Sequence, residues 1–229
     1  MSEPVNYDLL IKKDPPLYDF TLFTPALNTQ VFPNAKDLDP PDTNDAFRML
    51  TNQMGHGYPA TNMSSMNLYQ IGKFFETVKE NAKLIVEIGV VPNMTVQNSS
   101  TYFIREKRPE CAYLGIDVCD RSYVKNFGTN VHFLQTDSKN TDLIVEHIKN
   151  LGGKIDFLFI DGLHTIEQVK YELALIPYVR KGGIIGFHDT MVHIGPNVWM
   201  KAFDPAKFTV HNFYQYDDWG LGILVKNYD

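Results

Sequence analysis

Acidic and imidazole side chains recur in this sequence at the points where short apolar segments end. Five such segments carry, or are followed within two residues by, Glu87, Asp117, Asp137, Asp161 and the pair His188–Asp189. Carboxylates accept hydrogen bonds from hydroxyls and amines, and together with imidazole they bind divalent cations. The ordered series therefore predicts one site that combines a polar ligand pocket with a cation-binding group.

Two hydrophobic periodicities alternate between these polar residues. Short β-branched and aromatic runs predict strands over 84–89, 112–117, 131–135, 156–160 and 183–187, and a final hairpin over 208–216 and 220–226. Helical patterns occupy 64–78, 99–106, 143–151 and 165–176. The alternation predicts an α/β fold with a Rossmann-like, seven-stranded, mostly parallel sheet and helices on both faces. Ligands bind such sheets at the carboxyl ends of the strands, where these polar residues lie.

The composition argues against several classes of protein. The chain has 229 residues, 44% of them hydrophobic, and a formal net charge of −6. Its lysines and arginines are scattered, which argues against a nucleic-acid partner. No apolar run reaches the roughly 20 residues that span a membrane, and the N-terminus lacks the pattern of a signal peptide. With Cys111 and Cys119 predicted as reduced thiols, we expect a cytoplasmic protein.

Residues 1–62 differ from the rest of the chain. They are rich in proline, asparagine and aspartate and show no helical or strand period, yet they contain many large apolar side chains. We predict an irregular N-terminal arm that packs on the α/β domain of residues 63–229, covers its site, or joins two subunits of a homo-oligomer. The alternative is a poorly ordered tail.

Several motifs of the sequence resemble those of a known family. They are Val86–Val90 with Asn98–Thr101, Leu114–Asp117, Asp156–His164 and Gly182–Thr190. The first two regions are similar to the cofactor motifs of class I S-adenosylmethionine-dependent methyltransferases. The last two resemble one branch of that family, the macrocin-type O-methyltransferases of sugars and small molecules, which are related more distantly to the catechol type.

The resemblance implies a binding site for S-adenosylmethionine at the ends of the first three strands. Its predicted residues are Glu87, Gly89, Ser100, Asp117, Asp137 and Ser138. A carboxylate at the position of Asp117 suits the two hydroxyls of a ribose, and Asp137–Ser138 suits the edge of an adenine. The alternative for each is a strand-end cap. The loop of residues 90–98 lacks the usual glycines of the family, so either residues 98–101 form the tight turn or the methionine pocket is altered.

The resemblance also implies a metal site. By motif, Asp161, His188 and Asp189 occupy the positions that hold magnesium in catechol-type enzymes, with manganese as the second choice of ion. A histidine broadens the choice to manganese, iron or zinc, and His188 can instead orient Asp189. His164 lies where those enzymes place a basic side chain, so we predict His164 and Asp161 as catalytic residues.

Together these features predict an S-adenosylmethionine-dependent O-methyltransferase that acts on a hydroxyl of a small molecule or sugar with the help of a divalent metal. Three other functions stay open on the same fold. A metal-independent methyltransferase would use Asp161 and His164 only as acid–base groups. A non-catalytic binding protein would account for the unusual loop of residues 90–98, and a different metal-dependent reaction is also compatible with the fold.

Overall fold

The computed structural model describes four stretches of the chain, residues 82–90, 100–190, 193–213 and 220–229. Four predictions lie wholly or partly outside these residues: the N-terminal arm with its boundary at residue 62, the helix over 64–78, the glycine-poor loop after Val90, and residues 214–216 of the final hairpin. The structure therefore bears on the sheet, on most of its connections and on the strand ends.

A seven-stranded sheet forms the centre of the described domain. Its strands are β1 (Leu84–Ile88), β2 (Ala112–Asp117), β3 (Val131–Gln135), β4 (Ile155–Ile160), β5 (Val179–His188), β6 (Phe208–Phe213) and β7 (Leu221–Lys226). They lie in the order β3-β2-β1-β4-β5-β7-β6. The first five strands pair in parallel, whereas β7 is antiparallel to both β5 and β6. The predicted mostly parallel, Rossmann-like sheet is confirmed.

Helices connect the strands. They are α1 (Ser100–Lys107), α2 (Thr141–Asn150), α3 (Ile166–Glu172) and α4 (Ile194–Ala202), with 3₁₀ helices at Ser122–Phe127 and Leu173–Tyr178. The cap predicted for α3 is present, because Thr165 Oγ1 accepts a hydrogen bond from Gln168 N at 3.1 Å. None of the helices in the described stretches has both the length and the apolar character needed to cross a membrane.

The core lies on both faces of the sheet because successive side chains of each strand point to opposite sides. On one face Leu84, Val86 and Ile88 of β1 pack with apolar residues of α2 and α3. On the other face Ile85 packs in a cluster that includes Ile104 of α1. β1 is buried along its whole length, so the residue that follows it is held in place by its neighbours.

Among the elements that differ from the sequence prediction, two, β5 and α4, lie on either side of Asp189. β5 begins at Val179 rather than at residue 183, because a bulge against β4 accommodates the charged and glycine residues that follow Val179. α4 was not predicted, since Gly195 and Pro196 suggest a turn. Proline is compatible with the first turn of a helix, where its missing N–H is not needed, and α4 begins at Ile194.

Candidate active site

The ends of β1, β2 and β4 meet at Gly89. Gly89 N donates to Ile116 O at 2.9 Å, and Asp161 N donates to Ile88 O at 2.8 Å. Gly89 has a φ of +85°, and a Cβ at this position would lie 1.9 Å from Asp161 O. Only glycine fits both the backbone angle and the space. This contact brings the end of β4, with Asp161, against the end of β1.

Glu87 holds three hydroxyl groups inside the protein. Its side chain is fully buried and accepts hydrogen bonds from Ser100 Oγ, from Thr101 Oγ1 and from Tyr113 Oη. Burial raises the pKa of Glu87 to about 7, although these hydroxyls act in the opposite direction. The predicted cofactor residues Glu87 and Ser100 thus bind each other, and the contact fixes the first turn of α1 to β1 and β2.

Asp117 spans the loops that follow β1 and β2. One oxygen, Oδ2, accepts from Val90 N at 3.1 Å, and the other, Oδ1, accepts from Cys119 N at 2.8 Å. Arg121 Nε lies 3.6 Å from Oδ2. The side chain keeps 13% of its surface exposed, so its carboxylate is fixed in position and still reachable from solvent. A fixed, accessible carboxylate is what the predicted ribose contact requires.

The residues predicted to contact adenine belong to a hydrogen-bond network with α3. Gln168 Nε2 donates both to Asp137 Oδ1, at 3.1 Å, and to Ser138 Oγ, at 2.5 Å. Ser138 Oγ in turn donates to Glu172 Oε1 at 2.8 Å. Asp137 is exposed, and the backbone N–H of Lys139 lowers the pKa of its carboxyl.

Glu172 also belongs to this network, although no sequence motif singles it out. Its carboxyl is buried, and burial raises its pKa to about 7. Within the described residues its Oε2 atom has no hydrogen-bond partner. The only sequence signal is an acid near the end of a helix that otherwise presents an apolar stripe to the core.

Asp161, His188 and Asp189 converge at the ends of β4 and β5. His188 Nδ1 lies 3.1 Å from Asp161 Oδ1 and 3.1 Å from Asp189 Oδ1. His188 and Asp189 are buried, and Asp161 is partly exposed. Asp189 has a φ of +61°, a conformation that aspartate and asparagine adopt more readily than most other residues. The three residues predicted as metal ligands therefore do lie together.

His164 lies between the two carboxylates of this cluster. Its Nε2 atom is 3.4 Å from Asp161 Oδ1, and its Nδ1 atom is 3.4 Å from Asp189 Oδ2. His193, to which the sequence analysis gave no role, lies beside it with ring centroids 4.7 Å apart and an interplanar angle of 19°. His193 Nε2 is 3.8 Å from Asp189 Oδ2.

The approach of α4 explains why His193 reaches the cluster. Gly195 N donates to His164 O at 3.0 Å, and a Cβ on Gly195 would lie 2.6 Å from both His164 O and Thr165 O. His193 N also donates to Asp189 O at 3.0 Å. A glycine two residues after a histidine is a weak sequence signal, because its effect depends on a distant loop.

Burial and the neighbouring charges have opposite effects on the pKa values of the cluster. Burial would raise the pKa of Asp161, but His188 and His164 lower it to about 2. For Asp189 burial prevails over the same histidines, and its pKa is raised. Burial would lower the pKa of His164, but its contacts with Asp161 and Asp189 raise it. Imidazole rings are therefore the groups that counter the buried carboxylates within the described residues.

The cluster fits a divalent cation. One ligand atom of each of Asp161, His188 and Asp189 lies within 4.8 Å of the others. Asp189 Oδ1 is buried and accepts no hydrogen bond from the described residues. An unsatisfied buried carboxylate oxygen is costly, and a cation held between two carboxylates and an imidazole would satisfy it.

Comparisons with known proteins agree with this fold. A family model described as a methyltransferase domain matches residues 72–190, just over half of the chain. The comparison with curated proteins gives no match. Among solved structures, MycE, the methyltransferase from the mycinamycin biosynthetic pathway in complex with Mg and SAH, is similar. Its TM-score is 0.54 at 16% sequence identity, over 83% of this chain and 56% of that chain.

Two further structures match this chain over most of their own length. CalS11, a TDP-rhamnose 3′-O-methyltransferase of calicheamicin biosynthesis, has a TM-score of 0.52 at 15% identity, over 82% of this chain and 95% of that chain. An rRNA methylase from Streptococcus thermophilus has a TM-score of 0.50 at 13% identity, over 70% of this chain and 96% of that chain. This chain spans little more than half the length of MycE. The family model and the shared fold confirm the predicted resemblance: the chain belongs to the methyltransferase-domain family and has the class I S-adenosylmethionine-dependent methyltransferase fold.

Proposed function

We propose that the protein is an S-adenosylmethionine-dependent O-methyltransferase that acts on a hydroxyl of a small molecule or sugar with the help of a divalent cation. The observation that carries the proposal is the convergence of Asp161, His188 and Asp189 at adjacent strand ends. Gly89 brings this cluster against the end of β1, where the cofactor motif of the family begins. A cation site and a methyl-donor site side by side suit transfer to a hydroxyl.

Asp161 and Asp189 would hold the cation, magnesium or manganese, with His188 as third ligand or as support for Asp189. A divalent cation bound there lowers the pKa of an acceptor hydroxyl and orients it. The chain supplies the position: Asp161 is fixed through its backbone bond to Ile88, and Asp189 by its place after β5. Both side chains are held before any ligand arrives, which favours catalysis by positioning.

His164 is the proposed proton acceptor. Its side chain is 15% exposed and lies between Asp161 and Asp189, where an acceptor hydroxyl directed to the cluster would be within reach. With S-adenosylmethionine bound, transfer of its methyl group to the acceptor oxygen would break the carbon–sulfur bond and release S-adenosylhomocysteine. His164 would take the proton of the acceptor hydroxyl. General-base assistance of this kind contributes roughly 10²–10⁴-fold.

The cofactor would lie along the ends of β1, β2 and β3. Asp117 supplies a fixed carboxylate for the ribose hydroxyls, and Asp137 with Ser138 supplies acceptors for the adenine amine. The single proton of the Ser138 hydroxyl already goes to Glu172, so Ser138 can only accept from a ligand. Glu87 and Ser100 act by fixing the start of α1, and Gly89 by allowing a close approach of the backbone.

The similar structures favour a sugar or small-molecule hydroxyl without fixing the acceptor. CalS11 is a TDP-rhamnose 3′-O-methyltransferase, and MycE has been solved with Mg, SAH and mycinamycin VI. An rRNA methylase shares the same fold, so the fold alone does not select the acceptor. The cation cluster is the feature that argues for a hydroxyl, because a bound cation activates oxygen.

Calorimetry and turnover test the proposal together. We expect S-adenosylmethionine to bind with or without magnesium, and turnover of a panel of sugar nucleotides and glycosides to require the cation. Asp161→Asn should abolish cation-dependent turnover, whereas Asp142→Asn, on the exposed side of α2, should not. Turnover that survives a chelator would establish a metal-independent methyltransferase. Absence of any cofactor binding would overturn the proposal.

A further inference from the structure

A second group of ligand atoms lies beside the proposed cation site, on the other oxygen of the same carboxylate. His164 Nδ1 is 3.4 Å from Asp189 Oδ2, and His193 Nε2 is 3.8 Å from that oxygen. The proposed cation site faces Oδ1, which lies 3.1 Å from His188 Nδ1. Asp189 therefore presents each of its two oxygens to a different set of donors.

The spacing within the second group is close to that of a metal site. One ligand atom of each of His164, Asp189 and His193 lies within 4.8 Å of the others. Ligands about 2.1 Å from a tetrahedral zinc ion stand about 3.4 Å apart. The observed distances of 3.4 and 3.8 Å to Asp189 Oδ2 are close to this value. To direct its lone pair at the same ion as His164, the exposed His193 ring would turn out of its stacked position.

The chemistry of the second group differs from that of the first. It offers two imidazoles and one carboxylate, whereas the first offers two carboxylates and one imidazole. Magnesium prefers oxygen ligands and keeps its waters, while zinc binds imidazole readily. Two different ions would therefore be drawn to the two sides of Asp189.

The second group is also accessible to an ion. The His193 side chain is 47% exposed, which leaves room for an ion to enter and for a water molecule as fourth ligand. His164 and Asp189 lie deeper, with 15% and 5% of their side chains exposed. A three-residue site open on one side is typical of exchangeable zinc.

We propose that His164, Asp189 and His193 form an inhibitory site for zinc or a cation of similar softness. The inference rests on the proposed function, which gives His164 the acceptor's proton. A neutral imidazole has one nitrogen lone pair that can take a proton. When zinc occupies that lone pair, the other nitrogen carries the ring hydrogen, and the ring no longer acts as a base. Zinc at this site therefore stops methyl transfer while magnesium at the first site supports it.

Zinc affinity and zinc inhibition of the full chain test the proposal, with His193→Ala as the variant and His147→Ala as the control. His147 is a histidine of α2 bonded to its own helix. Zinc affinity is measured by calorimetry, and cobalt absorption reports tetrahedral binding, both without cofactor or acceptor. His193→Ala should weaken zinc binding at least about tenfold and raise the inhibitory zinc concentration by the same factor. Inhibition is expressed relative to the zinc-free, magnesium-supported turnover of each chain, so a change in basal rate does not affect the comparison.

Two results would overturn the proposal. Equal zinc affinity in the parent chain and His193→Ala would place the ion elsewhere, and His188→Gln would then show whether it binds on the Oδ1 side of Asp189. Zinc binding that depends on His193 but leaves turnover unchanged would remove the inhibitory role. Because affinity is measured without methyl transfer, failure of the turnover assay counts against the proposed function and not against the zinc site.

Discussion

The carboxylates at the ends of β1, β2 and β3 are bound by hydrogen-bond donors, whereas those at the ends of β4 and β5 face imidazole rings. We call the first set, Glu87, Asp117 and Asp137, the cofactor side. The second set, Asp161 and Asp189 with His164 and His188, is the cation side. Glu87 accepts from three hydroxyls, and Asp117 accepts from two backbone N–H groups. On the cation side Asp189 Oδ1 accepts no hydrogen bond within the described residues.

The difference shows how one sheet edge can hold two kinds of ligand. On the cofactor side the donors fix the carboxylates without an ion, so that side is ready for a neutral ribose and adenine. On the cation side imidazoles only partly offset the buried carboxylates, and a divalent ion completes the balance. Gly89 joins the two sides through its contact with Asp161. Substitutions on one side should therefore affect one ligand and spare the other.

The largest effect is expected from Asp189→Asn. Asparagine tolerates the φ of +61° at this position, so the fold should persist while both ligand groups lose the charge of Asp189. Cation-dependent turnover should fall by at least about 100-fold. Affinity for S-adenosylmethionine, measured by calorimetry, should stay within about twofold. A parallel loss of cofactor affinity would show that the two sides are not independent.

A smaller effect is expected from Asp117→Ala, and it should concern the cofactor rather than the cation. Removing a fixed partner of the ribose hydroxyls should weaken cofactor binding by about 2 kcal/mol, or roughly 30-fold. Cation affinity, measured by manganese titration, should not change. The control is Asp120→Ala, whose carboxylate accepts only from its own turn, at Ser122 N, among the bonds that the structure describes. Unchanged cofactor affinity in Asp117→Ala would remove the residue from the cofactor site.

The smallest effect concerns the pH dependence of stability. The pKa of Glu87 is raised from 4.5 to about 7, so the folded protein keeps a proton that the unfolded chain loses. Glu87 should therefore lower the free energy of unfolding by about 1 kcal/mol per pH unit between pH 5 and 6.5, and Glu172, whose pKa is also raised to about 7, should add a similar fall. Glu87→Gln should remove the Glu87 part of this slope and leave the Glu172 part, as measured by urea unfolding. A slope that is unchanged in Glu87→Gln would show that Glu87 does not contribute to it.

The pKa of Asp161 is shifted in the opposite direction to that of Glu87, so its effect on stability should have the opposite dependence on pH. Its pKa is lowered from 3.8 to about 2, so its contribution to stability is present above pH 3.8 and is lost as the pH falls toward 2. Asp161→Asn should reduce the loss of stability between pH 3.8 and pH 2. It should leave the change of the free energy of unfolding with pH near pH 6 unaltered. The two variants together would show whether the cofactor side holds a proton and the cation side holds a charge.

Much of the sheet and of the site could be predicted because both depend on local signals. Short apolar runs predict buried strands, and in a parallel sheet the residues after those runs share one edge. The common edge is predicted on that basis, whereas the choice of Asp161, His188 and Asp189 as cation ligands comes from the resemblance to catechol-type enzymes. His193 and Glu172 were not found, because each reaches the site from a helix whose path depends on distant contacts. Gly195, for example, matters only because it packs on the loop before α3.

The prediction for Glu87 shows a different limit. An acid near the end of the first strand was expected to meet the cofactor, and the structure shows it bound to Ser100, Thr101 and Tyr113. Tyr113 lies in β2 and is buried against Glu87 by the pairing of the two strands. Strand periodicity predicts that Tyr113 is buried, but it does not predict which polar group its hydroxyl will find.

The position of β7 makes the order of protein synthesis important for the cation side. β7 lies between β5 and β6, and its Leu221 pairs with His188. Lys226 Nζ, at the other end of β7, donates to Val179 O at 2.7 Å. While the ribosome makes the chain, β1 to β4 can pair in turn, but β5 keeps an open apolar edge until residue 226 has emerged. An open strand edge invites pairing with other chains, so the edge of the sheet beside His188 is exposed to such pairing until β7 fills it.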